Sequence, residues 1–137
     1  MAGGRAIAQR ALLAVKAGQR TQLSLLEHGG EPSAHDVALA AQNGDAVSQQ
    51  LLADAGRHIG SALASLINLL NPGMVIVGGG VAGAGPHLMD PLRQAVAEHT
   101  MRASREAAQI VVSSLGPRAV SMGTIASAMT QAFAQYA

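Results

Sequence analysis

Residues 71–83, Asn-Pro-Gly-Met-Val-Ile-Val-Gly-Gly-Gly-Val-Ala-Gly, constrain the fold of this chain more than any other stretch. Met74 to Val77 is an unbroken apolar run, β-branched at three of its four positions, with turn formers before it and three glycines behind it. A run without polar alternation predicts a short strand buried on both faces, as in a parallel sheet covered by helices. Gly78, Gly79 and Gly80 let the backbone turn sharply and admit a neighbour at close range, because no Cβ intrudes. Pro86 suits the first turn of a following helix, where its missing N–H costs nothing. Strand, glycine turn and helix start form an arrangement on which phosphates and nucleotides often sit. A tight turn made for close packing carries the same signature, so the stretch by itself leaves both readings open.

At 137 residues the chain is one domain's worth, long enough for a core. It is 49% hydrophobic but 1% aromatic, with Phe133 and Tyr136 close to its end. The core must therefore be built from Ala, Leu, Ile, Val and Met, which favours closely packed helices. Without aromatic stacking platforms, single-stranded nucleic acid is an improbable ligand. The formal net charge of +1 is interspersed along the chain, with no basic stripe for reading DNA, so no direct nucleic-acid contact is expected. There is no cysteine, hence no disulfide or thiolate site. His28, His35, His58, His87 and His99 show neither H-x-x-x-H nor H-x-H spacing, and no metal site is expected. Leu63 to Leu70, the most apolar stretch, is too short to span a bilayer. With no signal-peptide core either, the expectation is a soluble, cytoplasmic protein without membrane contact.

Along the chain, Gly4 to Ala17 reads as a helix with Ile7, Ala11, Leu12 and Val15 on its apolar face and Gly18 as its stop. Residues 19–32 read as a loop with one short turn. Ser33 and Asp36 resemble a capping box opening a helix to about Gln42, ended by Asn43-Gly44. Asp45 caps the longest helix, which runs to about Leu70 with Val47, Leu51, Ala55, Ile59, Leu63, Ile67 and Leu70 inward and Leu52 and Leu66 widening the face. Gly56 and Gly60 each cost that helix about 1 kcal/mol relative to Ala, a cost that close approach of another helix or of a partner subunit would offset. A helix over Pro86–His99, apolar at Leu88, Met89, Leu92 and Val96, follows the glycine turn. A surface connection leads to a second buried strand, Ile110 to Val112. A closing helix over 118–135 is expected to turn Val120, Ile125, Met129 and Phe133 inward, with Gly123 as a close-packing point. The β-α-β piece at 74–114 predicts a right-handed parallel crossover. Two strands make a poor sheet, so the chain reads as part of something larger or as a unit that completes its sheet with a partner.

Gly78-x-Gly80-x-x-Gly83 matches the dinucleotide fingerprint in letter and in place. A dinucleotide unit, however, ends its second strand in an acidic residue that holds the ribose, and here that strand ends in Ser113, Ser114 and Leu115. NAD binding is therefore rejected. Asp54-Ala-Gly56 lies in mid-helix, where it cannot form a phosphate hairpin. Asp36, Asp45, Asp54 and Asp90 all fit caps or solvated helix faces, and no catalytic residue is assigned.

Three successions resemble the ROK (repressor, open reading frame, kinase) family. They are Ala40-Ala41-x-x-Gly44-Asp45; Gly56-x-x-Ile59-Gly60-x-x-Leu63-Ala64-x-Leu66-Ile67-Asn68-Leu69-Leu70-Asn71-Pro72; and Val75-Ile76-Val77-Gly78-Gly79-Gly80-Val81. The tail, Leu115-Gly116-x-x-Ala119 followed by Gly123, is similar too, although Gly123-Thr124-Ile125 stands where the family usually has Gly-Ala-Ala. The resemblance implies an α/β fold of the actin-like ATPase (hexokinase, ribonuclease H-like) type. Residues 1–137 would be a single C-terminal unit of it, helical over 1–70 and β-α-β-α over 74–135. It implies that Gly78, Gly79, Gly80 and Val81 form the turn beside ATP, bound weakly here because half of the site lies elsewhere.

ATP with Mg²⁺, and a sugar or sugar phosphate, are then the ligands expected of a full-length protein. The family's Asp-x-Gly-x-Thr hairpin, catalytic Asp, Glu-x-Gly-His and cysteine zinc motif are absent from this sequence, so no catalysis is expected from the chain alone. The resemblance leaves open a sugar-responsive transcriptional regulator and a sugar kinase, with Leu115-Gly116-Pro117-Arg118 looking more like the regulators; a structural or oligomerisation module is a third reading. A homo-oligomer is expected, with helix 45–70 or helix 118–135 at the contact, alongside a missing N-terminal lobe or partner subunit.

Overall fold

A 25-residue helix, α3 (Ala46–Leu70), is the spine of the molecule. The structure is a computed structural model and describes residues 3–25 and 30–134. Before α3 come α1 (Gly4–Lys16), a 3-10 turn at Gln22–Leu25 and α2 (Ala34–Gln42). After it come β1 (Met74–Val77), a 3-10 turn at Gly80–Ala84, and α4 (Pro86–His99). Then follow α5 (Arg102–Ala107), β2 (Gln109–Val112), a 3-10 turn at Gly116–Arg118 and α6 (Ala119–Ala134).

Local chemistry sets most of these ends. Ser33 Oγ accepts from the Asp36 N–H at 3.2 Å while the Asp36 carboxylate accepts from the Ser33 N–H at 2.8 Å, which makes the expected capping box. Asp45 caps α3 by accepting from the Ser48 N–H at 2.9 Å. Asn71 ends α3 at φ +43, a left-handed position that Asn tolerates, and Pro72 prevents any continuation. The side chain of Asn68 then spans the ends of two other helices. It donates to the His99 carbonyl at 3.1 Å and accepts from the Met101 N–H at 2.9 Å.

Packing is aliphatic and close, as the composition demands. One cluster gathers Ile7 and Ala11 of α1, Val37 and Ala41 of α2, Leu52 and Ala55 of α3, and Leu88 of α4. A second joins Ile67, Met89, Leu92 and Val96 to Val75, Val77 and Ile110 of the sheet. The most extensive contact is α3 on α4, and the glycines explain it. A methyl on Gly56 would overlap the Leu88 carbonyl oxygen and lie 3.2 Å from the Leu92 nitrogen; a methyl on Gly60 would overlap the Leu92 carbonyl oxygen and lie 2.7 Å from the Ala95 Cβ. The close approach anticipated at these glycines is thus internal, not a contact with a partner.

Three expectations need correction. On α3, Leu51, Leu52, Ala55 and Ile67 are buried as expected, together with Ser48, Gly56, Gly60 and Ala64, but Leu66 and Leu70 lie on the exposed side. Small residues, not leucines, mark the tightest seam. β1 and β2 pair in parallel as a two-stranded sheet with Val75 beside Ile110, but only one face is covered. Met74 and Ile76 stay 53% and 64% exposed, because no described element lies over the other face. Finally, α6 does not turn inward. Residues 121–133 are all exposed, with Ile125 at 55%, Met129 at 53% and Phe133 at 69%, and nothing lies within 4 Å of a methyl built on Gly123. The Val120 side chain and Tyr136 lie outside the described residues.

Candidate functional site

The glycine turn sits at the C-terminal end of β1. Val77 closes the ladder, its carbonyl accepting from the Ser113 N–H at 2.8 Å. Gly78 runs past Ser113, where an added methyl would make an ordinary 3.4 Å contact with the serine Cβ. Gly79 carries the real conformational demand: φ +89 with ψ 178 is open to glycine and strained for any residue with a side chain. Its carbonyl accepts from the Ala82 N–H at 3.2 Å and starts the 80–84 turn. Ala84 is buried in the core cluster that holds Val37 and Ala41 of α2, which anchors the turn from below. The Gly80 and Val81 backbones belong to this turn, while their side-chain positions lie outside the described ones.

Above it the turn faces open space. Among the described residues, leaving out the immediate chain neighbours, no atom lies within 4 Å of a methyl built on Gly79 or Gly83. The facing lip is Ser113, Ser114 and Leu115, with the Leu115 N–H donating to Ser113 Oγ at 3.2 Å. Ser113, Ser114 and Leu115 follow β2, so no acid stands at its end.

The start of α4 is a poorer anion seat than its position suggests. Pro86 has no N–H, and the Gly85 carbonyl takes the N–H groups of Leu88 at 3.2 Å and Met89 at 3.0 Å. The donors facing a ligand must come mainly from the glycine backbone, which can hold a phosphate or a ribose hydroxyl but carries no acid–base chemistry.

The carboxylates have structural work elsewhere. Asp45 is buried and accepts from Thr21 Oγ1 at 2.9 Å, the Gln22 N–H at 3.0 Å, and the N–H and Oγ of Ser48. Burial alone would raise its pKa, but these hydrogen bonds outweigh burial and hold it below the ordinary carboxylate range. Asp54 binds Arg10 at 2.7 Å and Arg57 on its other oxygen, with Gln50 at 3.0 Å. There too burial pushes upward and is outweighed, by Arg10, Arg57 and Gln50. The hydrogen bonds from the Ser33 side chain and backbone lower the Asp36 pKa. Asp90 pairs loosely with Arg93 at 3.7 Å on the surface of α4.

Sequence reading did not find the Arg10–Asp54 pair, which joins residues 44 apart, nor the Thr21 and Gln22 bonds to Asp45. It also did not find the concavities that flank α1. One of about 350 Å³ is lined by Arg5, Gln9, Leu12 and Glu31, and one of about 360 Å³ by Arg10, Gln50, Leu51 and Asp54. No local signal announces them, because each lies between elements distant in sequence. Among the described residues no three His, Cys, Asp or Glu gather as metal ligands, and no helix is long and apolar enough to cross a membrane.

A family model described as the ROK family matches residues 1–131. A glucokinase from Halalkalibacterium halodurans is 31% identical over 117 residues, covering 85% of this chain and 36% of that protein. The DNA-binding transcriptional dual regulator NagC of Escherichia coli K12 is 27% identical over 118 residues, covering 86% of this chain and 28% of that protein. Among solved structures, a ROK family glucokinase from Streptomyces griseus, in complex with glucose and AMPPNP, superposes with a TM-score of 0.72 at 28% identity, covering 85% of this chain and 39% of that one. The chain thus spans between about a quarter and two-fifths of the length of these relatives. Its helix-rich architecture with a small parallel sheet is the corresponding part of their actin-like ATPase fold.

Proposed function

This chain belongs to the ROK family, and on that premise we propose that it is the non-catalytic, effector-responsive part of a sugar-responsive ROK transcriptional regulator. It offers the nucleotide side of the ligand cleft through Gly78, Gly79, Gly80 and Val81. The non-catalytic part of the reading is supported by the pairing of an open glycine turn with carboxylates that are already engaged, and the regulator part by the likeness to NagC and to a solved ROK family transcriptional regulator at a TM-score of 0.73 and 26% identity. A kinase must take a proton from a sugar hydroxyl as the phosphoryl group transfers. Asp36, Asp45 and Asp54 are held as low-pKa anions by caps and arginines at the helical end of the molecule, and the lip facing the turn offers only serines and Leu115. On this reading the complete protein binds a sugar or sugar phosphate and acts in the cytoplasm, and this part of it touches neither nucleic acid nor membrane. Its nucleotide contacts are backbone contacts of low affinity.

A second reading has specific support: the 31% identity to a glucokinase, together with the likeness to a glucokinase solved with AMPPNP, favours the C-terminal lobe of an ATP-dependent sugar kinase. The coding sequence that precedes Met1 in the genome distinguishes the two. A winged helix-turn-helix there is the expected finding. An Asp-x-Gly-x-Thr hairpin without a DNA-binding module would overturn the regulator in favour of the kinase.

A further inference from the structure

The chain has three asparagines, and the residue after each decides what its side-chain amide can do. Asparagine is thermolabile because the backbone nitrogen of the next residue can attack its Cγ and expel the amide. Asn71 precedes Pro72, whose nitrogen has no proton to give up. Asn68 precedes the bulky Leu69, and its amide is engaged by the His99 carbonyl and the Met101 N–H. Asn43 is exposed and precedes Gly44, where no Cβ crowds the approach. Of the three it is the one whose neighbour favours the reaction.

The fold holds that neighbour back. Helix α2 ends here in a Schellman motif, with Gly44 left-handed at φ +88. The Gly44 N–H donates to the Ala41 carbonyl at 3.1 Å, and the Asp45 N–H to the Ala40 carbonyl at 2.9 Å. Gln49 Nε2 binds the same Ala41 carbonyl at 3.0 Å, and Gln22 Nε2 binds the Asn43 carbonyl at 3.3 Å. Asp45 then caps α3 and is tied to Thr21 and Gln22. The nitrogen that would attack therefore has its proton committed to α2, and the closed joint between α2 and α3 keeps it there.

We infer that Asn43-Gly44 is a self-modification site gated by this joint: Asn43 deamidates only while Gly44 and Asp45 have let go of α2. In the open joint the Gly44 nitrogen gives its proton to a solvent base and bonds to Asn43 Cγ. The Cγ–Nδ2 bond breaks, and the amide nitrogen leaves as ammonia, taking a proton from water. Water then opens the cyclic imide at either carbonyl. Opening at the side-chain carbonyl gives aspartate. Opening at the former main-chain carbonyl leaves Gly44 attached through Cγ, an isoaspartyl link that adds one atom to the backbone. With that extra atom, Gly44 and Asp45 no longer reach Ala41 and Ala40 together, so the modified joint does not close as before. The reaction consumes only water. It rests neither on the nucleotide reading nor on what a longer protein places beside this face.

Peptide mapping by mass spectrometry, on the purified chain aged at mildly alkaline pH, tests it, with circular dichroism to check folding. The readout is the amide-to-acid mass gain and the isoaspartate at position 43. Conversion should be at least about tenfold slower in the folded chain than in the same chain unfolded in urea, because reaction through an open form follows the population of that form. Gln49→Ala and Thr21→Val each remove a bond that holds the joint and lie away from the reacting atoms. Both should speed conversion of the folded chain several-fold and leave the rate in urea unchanged. Absence of conversion at Asn43 in urea would overturn the site. Equal rates in the folded and unfolded chain would overturn the gate. A folded-state rate that neither variant changes would detach the gate from this joint and equally overturn the inference.

Discussion

Gly60 and Leu92 touch through bare backbone: the Leu92 carbonyl oxygen occupies the position that a side chain on Gly60 would need. The glycine is therefore a packing requirement of the α3–α4 crossing. Gly60→Ala gains about 1 kcal/mol of helix propensity, but it forces apart two backbones that meet with no flexible side chain between them. A net loss of about 1–3 kcal/mol is expected, read as a lower midpoint in urea. Because the contact is internal, the association state should not change.

Asp45 joins the start of α3 to the Thr21–Gln22 turn and is the most heavily bonded carboxylate described. Asp45→Ala removes a cap and several bonds to a charged acceptor at once, for an expected loss of about 2–4 kcal/mol by chemical denaturation. The pH dependence follows from the direction of its shift. Its folded-state pKa lies below the ordinary value of 3.8, so the unfolded chain holds that proton more tightly. The stabilisation is then complete above the ordinary value and is lost as pH falls through the lower folded value. Asp54, shifted in the same direction by Arg10 and Arg57, adds to this acid limb, though its partial exposure reduces the effect. Melting curves of Asp45→Asn should show lower stability at neutral pH and a shallower decline below about pH 4 than the parent.

How far the sequence reveals this molecule depends on whether a feature is local. Ser33 with Asp36, Asp45 after Asn43-Gly44, and Asn71-Pro72 each carry their own stereochemistry, and the helix ends lie where these residues place them. The strand and glycine turn are legible for the same reason. On α3 the close approach at Gly56 and Gly60 is legible as a helix cost that needs an offset, but the sequence does not say that α4 supplies it, and counting leucines turned Leu66 and Leu70 inward although both are exposed. For α6 the apolar pattern of Ile125, Met129 and Phe133 signals burial, but a pattern does not say which body supplies it. At the candidate site the backbone turn could be read from glycines alone, whereas the engagement of Asp54 with Arg10 required the fold.

Gly79 is the residue of the turn whose conformation excludes a side chain. Gly79→Ala at φ +89 and ψ 178, a region essentially confined to glycine, should cost about 1–3 kcal/mol of stability. In an amide-resolved NMR titration the parent should show shifts at Gly78, Gly79 and Gly80 with millimolar ATP, and the variant should show smaller ones. Amides of the turn that do not move in the parent would remove the nucleotide role from these residues.

The central claim, ligand contact without catalysis, is tested most directly by a coupled assay for ADP on the purified chain, supplied with ATP, Mg²⁺ and a panel of hexoses and N-acetylhexosamines. The account predicts no sugar-dependent ADP formation above the background without protein. Sugar-dependent turnover that follows the chain through purification would contradict it.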